Sequence, residues 1–361
     1  LNATNGLGLT SAGTVVDSGG TLTLGMRLPG TGAGSYTFVA EPLTLAINAT
    51  FGAGYGWTVP DARNYTWPGG LALASGTVNL SADTNVVTTL TGKATGAGGL
   101  NKVGPGTDIL AYTGNNDYAG NTTVGGGTLK IVAGTTINHT PLINVHAGAT
   151  LDVTGAGFVV GASQTLGGNG TVLGAVAVNG TLAPGSPIGT LTLSNTLTLG
   201  AGSTTSMEID AQTLAHDLVQ GISTVSFGGV LVVSNLAGTL SAGQSFKLFD
   251  AGSTGGTFTS IKPSLEGNLA WSFNPTNCVL SVVRLPPPQF ILFSVTGDGS
   301  FTMGGIGPNG LGYRIFAVTN IALPFNNWTA VSTGVFGGGA FQFTDREFSN
   351  RPARFYHVVT P

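Results

Sequence analysis

Apolar and polar residues alternate in short bursts along most of this chain, and the bursts share one phrase. A glycine or another small residue precedes a threonine, and apolar residues then alternate with polar ones. The phrase runs Gly20-Thr21-Leu22-Thr23-Leu24, Gly76-Thr77-Val78-Asn79-Leu80, Gly127-Thr128-Leu129-Lys130-Ile131 and Ala149-Thr150-Leu151-Asp152-Val153. It returns as Gly170-Thr171-Val172, Gly180-Thr181-Leu182 and Gly189-Thr190-Leu191-Thr192-Leu193. Apolar side chains two residues apart point to one face of a strand. Leu129 and Ile131, Leu151 and Val153, and Leu191 and Leu193 are therefore expected to face inward. Thr128, Thr150, Thr171 and Thr190 occupy equivalent places in their phrases, and the steps between them are nearly equal. A repeat of about 20 residues is one coil of a β-solenoid, whose coils touch only their neighbours.

Helix signals are nearly absent. Ala211 to Gln220 is the one candidate, and it is short and weakly patterned enough to be a turn on one coil. The pattern changes at Arg284-Leu285-Pro286-Pro287-Pro288-Gln289, where three prolines cannot donate to a ladder and favour a stiff spacer. Beyond it, Phe290-Ile291-Leu292-Phe293, Tyr313-Arg314-Ile315-Phe316-Ala317-Val318 and Phe341-Gln342-Phe343 alternate as in a small antiparallel β-sandwich. The expected organisation is 1–97, solenoid coils with loop insertions; 98–283, solenoid; 284–289, linker; and 290–361, a sandwich-like module.

Composition sharpens this picture. Of 361 residues, 60 are glycine and only 7% are charged, against about a quarter in ordinary proteins. The glycine has no three-residue period, which excludes collagen. Hydrophobic residues at 41% exclude a disordered chain. Twelve Lys and Arg, thinly spread, give no basic patch for nucleic acid. No apolar run is long enough for a membrane-spanning helix. Glycine is expected at the corners of coils, together with Asn169-Gly170 and Asn179-Gly180, which tolerate positive φ. A surface of Thr, Ser, Asn and Gly suits a secreted protein that is glycosylated, packed in an assembly, or both. The start, Leu1-Asn2-Ala3-Thr4, has no basic region followed by an apolar one, so the chain reads as processed or trimmed.

One stretch is more specific. Gly98-Gly99-Leu100-Asn101-Lys102-Val103-Gly104-Pro105-Gly106-Thr107, continuing through Tyr118-Ala119-Gly120-Asn121-Thr122-Thr123-Val124-Gly125-Gly126-Gly127-Thr128-Leu129, resembles the autotransporter-associated β-strand repeat of bacterial passenger domains. Asp108 stands where leucine is usual, so a displaced or more exposed strand is expected there. Gln164 to Thr171, Leu182 to Leu191 and Gly243 to Asp250 extend the likeness, which is good over about 98–283 and looser over 1–97. The resemblance implies a right-handed parallel β-helix on a cell surface. The family's outer-membrane barrel has no counterpart, since the stretch 290–361 is too short to build it. That stretch instead resembles modules of secreted bacterial proteins, at Gly312-Tyr313-Arg314, Asn327-Trp328-Thr329 and Arg354-Phe355-Tyr356.

Candidate chemistry is sparse. The four histidines, His139, His146, His216 and His357, are scattered, and no G-x-S-x-G elbow occurs. Glu208 and Asp210 share a strand face with Asp217 nearby, the best carboxylate cluster for a cation, although a solvated edge is the plainer reading. Gly305-Ile306-Gly307-Pro308-Asn309-Gly310 fits a dinucleotide fingerprint but precedes a strand pattern and not a helix. Cys278, the only cysteine, reads as a buried structural thiol. Tyr55, Trp57, Tyr65 and Trp67 flank Asp61 and Arg63, either as a sugar-stacking loop or, as we expect, packed on the solenoid. Sequons at Asn2, Asn48, Asn64, Asn79, Asn121, Asn138 and Asn327 are candidate glycosylation sites; those at Asn169 and Asn179 are explained by turns.

We therefore expect no catalytic residue, cofactor or metal. The expected function is that of an extracellular, non-enzymatic β-solenoid subunit of a surface fibre or matrix. Head-to-tail β contacts between copies would use the unprotected edge Leu7 to Leu9 and the aromatics Trp328 and Tyr356. The alternative is a monomeric adhesin or a stalk that binds surface glycans.

Overall fold

A computed structural model describes residues 13–25, 34–54 and 62–360. It is all-β, and three parallel sheets of five, eleven and thirteen strands dominate its first part. Consecutive strands lie in different sheets. Leu71–Leu73 belongs to the five-stranded sheet, Thr77–Ala82 to the eleven-stranded and Val86–Leu90 to the thirteen-stranded one. The next strand, Ala94–Gly96, returns beside Leu71–Leu73. This rotation from sheet to sheet is the solenoid arrangement that the repeat predicts.

The repeat phrase is one rung of each sheet. Leu129 pairs with Leu151, Leu151 with Val172, and Val172 with Leu193, and all four are fully buried. Each such side chain stabilises the fold by about 1.5–3 kcal/mol relative to exposure. Thr128, Thr150 and Thr171 form the outward column beside it, but its next member is Thr192 and not Thr190. Thr190 pairs with Leu218 instead. Both threonines precede an inward leucine, so the phrase alone cannot distinguish them; the pairing at Leu173↔Ser194 fixes the register.

Aromatic clusters fill two parts of the core. Near the start, Trp67 meets Phe38 and Phe51 at ring separations of 6.0 and 5.3 Å, and Tyr65 stacks on Tyr36 at 5.5 Å. Tyr65 and Trp67 are thus core residues of the strand Arg63–Trp67 and do not belong to a sugar-stacking loop. Tyr55, Trp57 and Asp61 lie outside the described residues. Later, Phe227, Phe249, Phe258 and Phe273 form a cluster in which three ring pairs meet edge to face and Phe227–Phe258 is tilted.

The corners use glycine in two ways. Gly127 has φ +59°, and a Cβ there would lie 2.4 Å from the Gly104 and Gly106 carbonyl oxygens. Gly170 and Gly180 are not left-handed, contrary to the Asn-Gly expectation. They are needed because a Cβ would meet the His146 and Gly161 carbonyls at 2.3 and 2.1 Å. Close stacking of coils, and not positive φ, selects glycine at those two corners.

Ala211 to Gln220 is not a helix. Asp210 Oδ1 accepts hydrogen bonds from the backbone N–H groups of Gln212 and Thr213, which forms a turn. The chain doubles back through an Ile209↔His216 bridge and enters the strand Leu218–Phe227. That strand bends at Gly221, φ +77°. Its first half pairs with Thr190–Ser194 and its second half with Thr196–Leu199.

Contacts divide the chain into two units. One comprises Leu1–Thr239, Ser245–Pro263 and Phe273–Leu280, and the other Leu240–Gln244, Ser264–Ser272 and Ser281–Pro361. The second unit contains two antiparallel three-stranded sheets. In one, Phe301–Ile306 lies between Gln289–Val295 and Ala340–Asp345; in the other, Gly312–Val318 lies between Thr329–Val335 and Phe355–Val359. Tyr313, Ile315, Phe336, Phe341 and Val358 form a common core between them. The G-x-G-x-x-G stretch is the end of one strand and the turn into the next, with no helix.

Candidate functional sites

The carboxylate cluster resolves into a backbone clamp. Asp217 is fully buried; its Oδ1 accepts the Gly189 N–H at 2.8 Å and its Oδ2 the Glu208 N–H at 2.7 Å. Burial pushes its carboxyl up to about 6, and the two backbone bonds oppose that rise. Asp210 holds the turn, and its carboxyl lies below the usual range because of hydrogen bonds led by that from Thr213. Among the described residues no three of His, Cys, Asp and Glu are grouped to hold a metal ion. Glu208 lies on the strand Thr204–Ile209, whereas Asp210 falls just past its end, in the turn; both are half-buried.

Asp108 corrects the expectation of an exposed or displaced strand. The strand Thr107–Leu110 is in register with its neighbours, and Asp108 points inward between Thr88 and Leu129. Lys102 also points inward, between Leu80 and Val124. The two meet across one corner, with Lys102 Nζ 3.5 Å from Asp108 Oδ2 and their side chains 0% and 2% exposed. Lys102 Nζ also donates to the Gly104 carbonyl. Burial pushes Asp108 up to about 6 and pulls Lys102 below its usual range, against their mutual attraction. The sequence contained the signal, a lysine and an aspartate both on inward positions, but alternation alone does not show that they face each other.

The outer faces carry polar ladders. Asn101 Nδ2 donates to Asn79 Oδ1 at 3.1 Å, and Asn79 Nδ2 to Thr50 Oγ1 at 3.4 Å. Lys130 pairs with Asp152 at 2.7 Å one coil on. His139 sits beside Asp117 at 3.5 Å in an exposed group with Lys93 and Asn115. His146 is exposed, and His216 Nδ1 lies 2.9 Å from the Leu214 carbonyl. Of the sequon residues, Asn48, Asn64, Asn121, Asn138 and Asn327 are exposed, Asn79 is half-buried in its ladder, and Asn2 lies outside the described residues. Cys278 is buried, as its lone occurrence suggested.

In the second unit, Trp328 Nε1 donates to the Leu323 carbonyl at 3.2 Å, and its ring meets Phe325 and His357. Tyr356 donates to Asp345 Oδ2 at 2.7 Å, and Arg354 pairs with the same carboxylate at 2.9 Å. Burial and that carboxylate hold the Tyr356 phenol above its usual range. Arg354, Arg351 and Glu347 line a cavity with Asn327 and Thr329. Leu7 and Leu9 lie outside the described residues. No helix among the described residues is long and apolar enough to cross a membrane.

No protein-family model matches the chain. Over 109 residues, 30% of its length, it is 38% identical to the adhesin BmaC autotransporter of Brucella suis biovar 1 (strain 1330). The match spans only 3% of that much longer protein. The matched stretch is thus similar in sequence to part of an autotransporter adhesin, without assigning the chain to a repeat type.

Proposed function

We propose that this chain is part of a non-enzymatic, adhesin-type structural protein displayed at or outside a bacterial cell surface. In this reading the solenoid is a right-handed β-helix acting as a stalk or fibre element. Right-handed parallel crossovers are the general rule. The carrying observation is the stack of parallel coils, coupled with likeness to an adhesin autotransporter. The groups best suited to forming a site support a structural role, since Asp217, Asp210, Asp345 and Arg354 are engaged in holding backbone or one another.

Head-to-tail self-association is the finer part of the proposal. Low charge favours it, as does the outer strand Gln289–Val295, which pairs on one side and exposes Ile291, Leu292, Phe293 and Val295. Trp328 and Tyr356 support it less, because both are engaged within their own unit. Negative-stain microscopy of the native secreted material tests both levels. Filaments support the fibre, dispersed rods support a monomeric stalk, and a soluble cytoplasmic pool without surface material overturns the reading. For the monomeric stalk, a glycan array would give hits that survive removal of sequon glycans.

A further inference from the structure

We propose that Lys102 and Asp108 are joined by an amide bond between Nζ and Cγ, an intramolecular cross-link across one corner of the solenoid. The two side chains are enclosed in the core at 3.5 Å, and Asp108 Oδ2 makes no hydrogen bond there.

The hydrogen-bond inventory favours the amide over an ion pair. An ammonium has three donors, yet only the Gly104 carbonyl accepts from Lys102 with hydrogen-bond geometry. The Ala82 backbone N–H and the nearby Thr88 hydroxyl favour the charged carboxylate, but Thr88 Oγ1 and Asp108 Oδ2 make no proper hydrogen bond. Buried polar groups are normally satisfied, and a buried ion pair short of partners is costly. An amide has one N–H, which the Gly104 carbonyl can accept, and one carbonyl oxygen, to which the Thr88 hydroxyl can donate. Condensation thus removes the spare ammonium donors and the unpartnered Oδ2, and leaves a neutral group whose N–H and oxygen find partners in Gly104, Ala82 and Thr88.

The step balances without an added reagent. The Lys102 amine, in its free-base form, attacks the Asp108 carboxyl carbon. The C–N bond forms, the bond to one carboxyl oxygen breaks, and that oxygen leaves as water with a proton from the amine. Burial assists by favouring the two neutral forms that react. The product closes a short ring over Val103 to Thr107, and trypsin cannot cleave after an acylated Lys102.

Mass spectrometry of the full chain, fresh and after prolonged incubation at pH about 6, tests this. We expect a mass one water below that of the sequence, and after backbone cleavage between Val103 and Thr107 the two pieces should stay joined through residues 102 and 108. Lys102→Met and Asp108→Leu should restore the unlinked mass. Asp108→Asn should regain the same link by losing ammonia, which a merely structural pair would not do. Full mass in the wild-type chain, or a water loss mapped elsewhere, such as a cyclised Asn-Gly, overturns the proposal.

Discussion

At the scale of single residues, Asp217 carries the most legible energetics. Its carboxyl titrates at about 6 in the folded chain, against an ordinary 3.8. Between those values the folded state holds the proton more tightly than the unfolded chain. The stability from this group is therefore present at acidic pH and lost as pH rises through about 6. Each tenfold difference in proton affinity is worth at most about 1.4 kcal/mol. Asp210 and Asp152 have lowered values and act in the opposite sense only below the ordinary carboxylate range. Thermal melts should thus show a higher Tm near pH 5 than near pH 7, and Asp217→Asn should reduce that slope, leaving only what an unlinked Asp108, also raised to about 6, contributes. The same variant presents an amide N–H to one of the two backbone donors and should cost about 1–3 kcal/mol at acidic pH. Part of this was visible in sequence: Glu208, Asp210 and Asp217 stand out as a cluster. Their roles do not, because a hairpin turn that reverses the chain at Asp210 decides which carboxylate enters the core.

At the scale of elements, the corners and rungs can be separated. Gly127→Ala combines a left-handed φ with collisions against two carbonyls of the preceding coil. Gly148→Ala shares the positive φ, +79°, but has nothing within 4 Å. Denaturant melts should show about 1 kcal/mol lost for Gly148→Ala and clearly more for Gly127→Ala. If the two cost the same, coil contact at that corner is not what selects glycine. In the rungs, Trp67→Ala should cost about 3–5 kcal/mol as a core truncation, whereas a sugar-stacking tryptophan would leave stability unchanged. The alternation at Arg63 to Trp67 is as clear as elsewhere in the sequence. It is overshadowed by the aromatic richness of the stretch, which suits a binding loop and a core rung equally well.

At the scale of the whole molecule, solenoid stability is a sum of nearest-neighbour terms, and the second unit includes segments outside its continuous run. It includes Leu240–Gln244 and Ser264–Ser272 as well as Ser281–Pro361. A fragment of residues 290–361 alone should therefore melt at a lower temperature than one beginning near residue 240, measured by circular dichroism. Equal melting would show that the earlier segments add nothing to that unit.

Read alone, the amino-acid order establishes the all-β class, the solenoid repeat and the identity of most inward positions, because a period of two and recurring Thr-apolar phrases report local backbone geometry. It also places antiparallel pairing in 290–361. Only the packed coils settle the rest: the register that selects Thr192 over Thr190, the close contacts that require Gly170 and Gly180, and the meeting of Lys102 with Asp108. The first two are relations between successive coils, and the third is a meeting across a corner inside one. Residues a full coil apart in sequence become neighbours at one strand spacing only after stacking, and no local pattern encodes which of them touch.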